Sequence, residues 1–206
     1  MAGTSYAGSV FVNCPFDDAY EPIRNALVFS IFDCGFQPRS ALEENDNGEV
    51  RIEKIHRIIA DCKFGIHDIS RTELDGHNNL PRFNMPLELG LFIGARRFGD
   101  KKQKLKNYLV LDREQYRYQQ FVSDISGQDI RSHNDNPRDA IRAVREWLNA
   151  TTGRRTIPGG AQIAGKYDQF MLDLPNICKN AGLADDEITY NDYCNFASYW
   201  LMGRDA

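Results

Sequence analysis

One carboxylate stands alone in the stretch Asn79-Leu80-Pro81-Arg82-Phe83-Asn84-Met85-Pro86-Leu87-Glu88-Leu89-Gly90-Leu91-Phe92-Ile93-Gly94-Ala95. From Leu87 to Ala95 every residue except Glu88 is apolar or glycine. Pro86 suits a first helical position, because the N–H it lacks would be orphaned there. Asn84 or Met85 then falls at the cap, a place for which Asn has the side-chain oxygen. Glu88 is thus expected in the first turn of a helix fit to be buried on most sides. Leu87, Leu89, Leu91 and Phe92 offer it no salt bridge. Helix-end electrostatics is one reading of such a residue. The other is a carboxylate held at the mouth of a pocket by a rigid helix.

Other side chains narrow the chemistry. Five cysteines, Cys14, Cys34, Cys62, Cys178 and Cys194, are scattered and odd in number. They suit reduced thiols in a cytoplasmic protein better than a disulfide framework or a zinc site. His56, His67, His77 and His133 show no metal-ligand spacing, so no metal is expected. Neither G-x-G-x-x-G, nor a P-loop, nor a G-x-S-x-G elbow occurs. A net charge of -4 over 206 residues gives no broad basic field, which argues against duplex nucleic acid as a partner. No apolar run is long enough to span a bilayer, so no membrane is expected. A carboxylate beside an aromatic ring and amides, without metal or thiol, suits cleavage at an anomeric carbon. Such reactions pass through an oxocarbenium-like state that the carboxylate stabilises or traps.

These residues must be positioned by alternating strands and helices. Gly8 to Asn13 reads as a first strand, running into a tight loop Cys14-Pro15-Phe16-Asp17-Asp18. Tyr20 to Cys34 has helical spacing at Ile23, Leu27, Val28, Ile31 and Phe32, with Gly35 as its stop. Phe36 to Leu42 reads as a weak second strand near an edge, because Pro38 cannot donate to a ladder. Asn47-Gly48 marks a turn. Arg51 to Cys62 presents Ile52, Ile55, Ile58 and Ile59 on one face, a second amphipathic helix. Lys63 to Ile69 is the third strand and Asn107 to Asp112 the fourth. Between the Glu88 helix and that fourth strand, the basic run Arg96 to Lys106 reads as a solvated helix end and loop. Tyr116, Tyr118 and Phe121 suggest a covering helix or lid, and Asp129 to Ser132 a last edge strand. Pro137 opens a helix bearing Ile141, Val144, Trp147 and Leu148.

Strands alternating with helices predict an α/β domain with a mainly parallel sheet over residues 1–150. Residues 151–162 read as a linker, and residues 163–206 as a small C-terminal helical extension. Pro175 is expected to kink or end the first extension helix. The aromatic-rich Tyr199-Trp200-Leu201 suggests an exposed apolar face and a homo-oligomer.

In an open parallel sheet ligands bind beyond the carboxyl ends of the strands, where strand order reverses. With order 2-1-3-4-5 that crevice lies between the first and third strands. It receives Asn13, Cys14, Pro15, Phe16 and Asp17 from one strand and His67, Asp68 and Ser70 from the other. The helix bearing Glu88 begins after the loop leaving the third strand, so it faces the same place. Arg82 is a candidate phosphate clamp, since its planar fork suits phosphate, and Asn84 supplies an amide. Cys14 and His67 are also a conceivable nucleophile and base. Asp68 reads either as a turn-forming strand end or as a ligand of a sugar hydroxyl.

Three motifs in order, Val10-Phe11-Val12-Asn13-Cys14-Pro15-Phe16-Asp17, Gly65-Ile66-His67-Asp68-Ile69-Ser70 and Met85-Pro86-Leu87-Glu88-Leu89-Gly90, resemble the nucleoside 2-deoxyribosyltransferase superfamily. The arrangement is also similar to TIR domains. Neither resemblance extends to the C-terminal helices, and the Trp-Cys pair that precedes the Glu in TIR domains is absent here. The resemblance implies a flavodoxin-like three-layer sandwich and cleavage of N-glycosidic bonds in nucleosides or NAD, with NAD as substrate and no resident cofactor. Glu88 would be the main catalytic residue and Asp68 its acid/base partner or a ribose ligand. Phe16 would stack on the base, while Arg82 and Asn84 contact phosphate or ribose. Bacterial relatives of the TIR type serve in anti-phage defence, consuming NAD or making a cyclic ADP-ribose signal. A nucleoside 2-deoxyribosyltransferase or nucleotide N-glycosidase, and a non-catalytic nucleotide sensor relaying to a downstream effector protein, are the alternatives.

Overall fold

A computed structural model describes residues 5–43, 48–72, 74, 82–184 and 187–203. Asn47 and most of the loop ahead of Arg82 lie outside these residues. Five parallel strands form one sheet in the order β2-β1-β3-β4-β5, the flavodoxin-like order. They are β1 (Ser9–Asn13), β2 (Gln37–Arg39), β3 (Phe64–Asp68), β4 (Asn107–Asp112) and β5 (Arg131–Ser132). The helices are α1 (Glu21–Asp33), α2 (Arg51–Asp61), α3 (Asn84–Phe98), α4 (Pro137–Thr152), α5 (Gly160–Ala181) and α6 (Tyr190–Met202).

Side chains of a strand alternate between faces, and here that divides the core in two. Val10 and Val12 of β1, Phe64 and Ile66 of β3, and Leu109 and Leu111 of β4 pack toward α1 and α4. Phe11 meets Ile55, Ile58, Ile59 and Phe92 of α2 and α3 on the other face. Val110 joins Ile69, Met85 and Leu89 there.

From Asn25 to Ile31 every residue of α1 is buried, because the helix is covered twice. The sheet takes one side, and α5 and α6 take the other. Phe29 stacks on Phe170 with ring centroids 5.3 Å apart, and Trp200 closes over both rings. Tyr167 and Tyr193 donate their hydroxyls to the carbonyls of Pro22 and Asn25. Pro175 does not end α5. Leu174 and Cys178 on either side of it are buried in this contact, and packing there carries the helix through the missing hydrogen bond. Trp200 and Leu201 turn inward, with the Trp200 indole donating to Asp173, so Tyr199 is the exposed member of that trio. Among the described residues no helix is long and apolar enough to cross a membrane.

Three local departures from the sequence reading have physical causes. The first concerns α3, which begins at Asn84, two residues before Pro86, and carries no acid in its first turn. Pro86 is tolerated there because the first four N–H groups of a helix lack partners. Glu88 therefore sits two residues deeper than expected, in the second turn, where the helix dipole helps a charge less. A second departure lies in the segment after β4, which forms short 3-10 turns at Arg117–Gln120 and Ser123–Ile125 rather than a covering helix. The third is Lys106, the one member of its basic run that is buried. Its Nζ donates to the carbonyls of Ile59 and Cys62, and it lies over the Phe92 ring.

Candidate active site

Register sets Asn13 of β1 beside His67 of β3, both on the α2–α3 face. The Asn13 amide nitrogen donates to the carbonyl of Met85 at 2.9 Å and lies 3.1 Å from His67 Nδ1. A carbonyl only accepts, so the nitrogen end of the amide must point this way. His67 Nδ1 is then an acceptor, which leaves its proton on Nε2. Burial, with the Lys106 charge adding to it, pushes His67 down to about 3. His67 is a neutral structural group, edge-on to Phe92 at 4.9 Å. Asn13 fastens the first turn of α3 to the end of β1.

Cys14 and Asp68 belong to the opposite face. Cys14 packs with the α1 core, and burial raises its thiol well above the ordinary range. It does not meet His67, so a thiol–imidazole pair is not assembled. Asp68 is fully buried. Its Oδ1 accepts from the Ser70 N–H at 2.9 Å, and its Oδ2 lies 3.0 Å from His133 Nε2. That second approach lacks the alignment of a hydrogen bond, and the Tyr20 hydroxyl faces the carboxylate in the same way. Burial opposes the charge, yet His133, Ser70 and Tyr20 together hold Asp68 below its ordinary value. His133 in turn accepts at Nδ1 from the Asp135 N–H at 3.1 Å. Asp68 thereby clamps the β3 exit to the segment entering α4.

A second clamp braces that exit from the β4 side. Arg117 donates to Asp112 at 2.6 Å, to the carbonyls of Ile69 and Ser70 at 3.0 and 2.8 Å, and to Thr72 Oγ1 at 3.1 Å. Neither His133 nor Arg117 stands out in the sequence. Their partners are strand-end residues on other segments, and no local spacing links them.

Glu88 has different surroundings. It is 6% exposed and borders a cavity of about 190 Å³ lined by Arg51, Ile52, Ile55, Asn84, Leu87 and Glu88. Burial raises its carboxyl to about 7, with the Arg51 charge working the other way. The Arg51 guanidinium also lies over the Phe16 ring, 5.6 Å from its centroid. Glu88, Asn84, Phe16 and Arg51 are thus brought together between the openings of α2 and α3. Arg51 was missed as a site residue because it reads as the polar start of an amphipathic helix. Pro15 is buried, and Ser70 is buried beside Asp68. Asp17 caps the turn at Tyr20 and lies 3.7 Å from Arg71. Arg82 is exposed just ahead of α3 and is not part of the cavity lining.

Such a site can hold a flat ring against Phe16, an anion at Arg51, and an electron-poor carbon against a carboxylate that titrates near neutrality. No family model matches the chain, and no solved structure matches it. Over 82 residues the chain is 33% identical to protein tirC of Dictyostelium discoideum, a stretch covering 35% of this chain and 41% of that protein. The chain spans less than half the length of the curated relative it matches.

Proposed function

We propose that this chain is a TIR-like enzyme that cleaves the N-glycosidic bond of NAD or a related nucleotide, with Glu88 as its central residue. The observation that carries the reading is a carboxylate 6% exposed, raised to about 7, at the edge of a cavity it shares with Arg51 and Asn84. The likeness to protein tirC, whose name points to a TIR-type domain, supports the family side of it.

In this reading the bond between C1′ of the ribose and the nicotinamide nitrogen breaks, and its electron pair cancels the positive charge of the ring. The ribosyl carbon left behind is oxocarbenium-like, and ionised Glu88 stabilises it or bonds to it. Water then supplies hydroxide to C1′ and releases a proton, giving ADP-ribose and nicotinamide. A cationic ring beside Glu88 favours its ionised form, offsetting the burial that raises its pKa. Phe16 and Arg51 bind the base and phosphate, with Asn84 and Arg82 at the rim. Asp68, buried among His133, Ser70 and Tyr20, acts as a positioning residue for the β3 exit and does not touch substrate.

Purified protein incubated separately with NAD, deoxynucleosides and nucleoside monophosphates, followed by liquid chromatography, tests this. Nicotinamide and an ADP-ribose product from NAD are expected. Free base from a deoxynucleoside alone would reassign the substrate. A nucleotide that binds and is returned intact from every incubation would overturn the enzyme reading.

A further inference from the structure

The basic run after Glu88 is not used by the site above, and part of it lines a separate cleft. Ile93, Arg96 and Arg97 of α3, Lys104 of the turn that follows, and Tyr108 of β4 enclose about 560 Å³, against 190 Å³ beside Glu88. Tyr108 lies near the start of β4, so this cleft is at the opposite end of the sheet from Glu88. Along α3, Arg97 is nine residues beyond Glu88, about 13 Å of helix. Cations at a helix C-terminus interact favourably with its dipole, which accounts for Arg96 and Arg97. It does not account for Lys104, which belongs to another element, or for the concavity and its aromatic wall. Among the described residues no carboxylate pairs with Arg96, Arg97 or Lys104, in a chain whose net charge is -4.

We propose that this cleft binds a nucleoside diphosphate or triphosphate, separately from the Glu88 site. The Arg96 guanidinium lies over the Tyr108 ring, 5.6 Å from its centroid, and forms with it a flat surface on which a base can stack. Ile93 supplies an apolar wall. Arg97 and Lys104 present a fork and a point charge to consecutive phosphates. The volume falls within the roughly 300–1,000 Å³ of small-molecule sites. A lone phosphate would leave the ring and most of that space unused, and an acidic peptide would use the cations and not the ring.

Isothermal titration of the full chain with ADP, inorganic tripolyphosphate and an oligoglutamate peptide tests the assignment, using wild type and the double variant Arg97→Glu/Lys104→Glu. Both positions are exposed, and a melting curve confirms that the variant is folded. Saturable ADP binding is expected in wild type, weakened tenfold or more in the double variant, with tripolyphosphate at least tenfold weaker than ADP. No saturable ADP binding up to millimolar concentration would overturn the proposal, as would equal ADP binding by a folded double variant. Tripolyphosphate or oligoglutamate binding as tightly as ADP would also overturn it, by removing the nucleoside from recognition.

Discussion

Glu88→Gln separates what the carboxylate costs the fold from what it does for a reaction. An ordinary Glu ionises near 4.5, whereas in the folded chain burial raises Glu88 to about 7. Between these values the unfolded chain releases the proton and the folded chain keeps it. Stability is therefore fully present below pH 4.5 and is lost as the pH rises to and through 7. At 1.36 kcal/mol per pKa unit the loss at pH 8 is about 3 kcal/mol. Gln has nearly the same volume and cannot ionise. It should match wild type at pH 4.5 and exceed it by about 3 kcal/mol at pH 8. For a domain of this size that corresponds to a melting temperature higher by roughly 6–12 °C. Turnover of NAD should meanwhile fall on the order of a hundredfold, the loss of a few kcal/mol of transition-state stabilisation. Scanning calorimetry at both pH values, with nicotinamide release on the same samples, provides the assay. Coincident melting curves at pH 8 would refute the buried-charge argument. Unchanged turnover would remove Glu88 from the chemistry.

Arg51→Ala removes the cation that opposes the raised pKa of Glu88, so the midpoint of the pH–rate profile for kcat/KM should move above about 7. An unmoved midpoint would show that Arg51 and Glu88 are not coupled. Asn13→Ala leaves the Met85 carbonyl and His67 Nδ1 without their shared donor, at a cost of about 1–3 kcal/mol. Urea denaturation should register that loss, and kcat should fall as α3 loosens; unchanged kcat would refute the positioning role. Gly65→Ala places a Cβ 2.7 Å from His67 Nε2 and 2.9 Å from the Phe92 ring. Overpacking of this kind costs about 1–3 kcal/mol, and an unchanged denaturation midpoint would mean that the two rings shift freely.

Much of the architecture was legible because strand and helix periods differ. Asn107 to Asp112 is a strand with the bounds its apolar run suggests, and β2 is the short edge that Pro38 implies. Legibility failed where tertiary packing overrides a local signal. Pro175 looks like a stop, yet α5 continues past it because Phe170, Leu174 and Cys178 are held against the core. Tyr199-Trp200-Leu201 looks like one apolar patch, but a helix turns its residues in different directions, and only Tyr199 remains outside. Lys106 looks like one more solvated cation, yet two carbonyls at the end of α2 draw it inside.

The site divides along a simpler line. Motif reading gathered Asn13, Cys14, His67 and Asp68 at one crevice, although neighbouring residues of a strand point to opposite faces. Asn13 and His67 take the α2–α3 face, while Cys14 and Asp68 turn toward α1. The two carboxylates consequently have opposite environments. Asp68 has His133, Ser70 and Tyr20 around it, which hold it below its ordinary value and leave it inaccessible. Glu88 has the apolar residues of two helices and the Arg51 cation beside it, and burial raises it to about 7. Environments that push two titratable groups apart also assign their roles. A carboxylate buried among fixed partners is out of reach of a passing cation, so Asp68 can anchor a loop but cannot answer to charge that develops on a substrate. Among the described residues Glu88 lacks such partners, and it borders the cavity, so in the proposed reaction a positive centre arriving there would supply the missing interaction as the bond breaks.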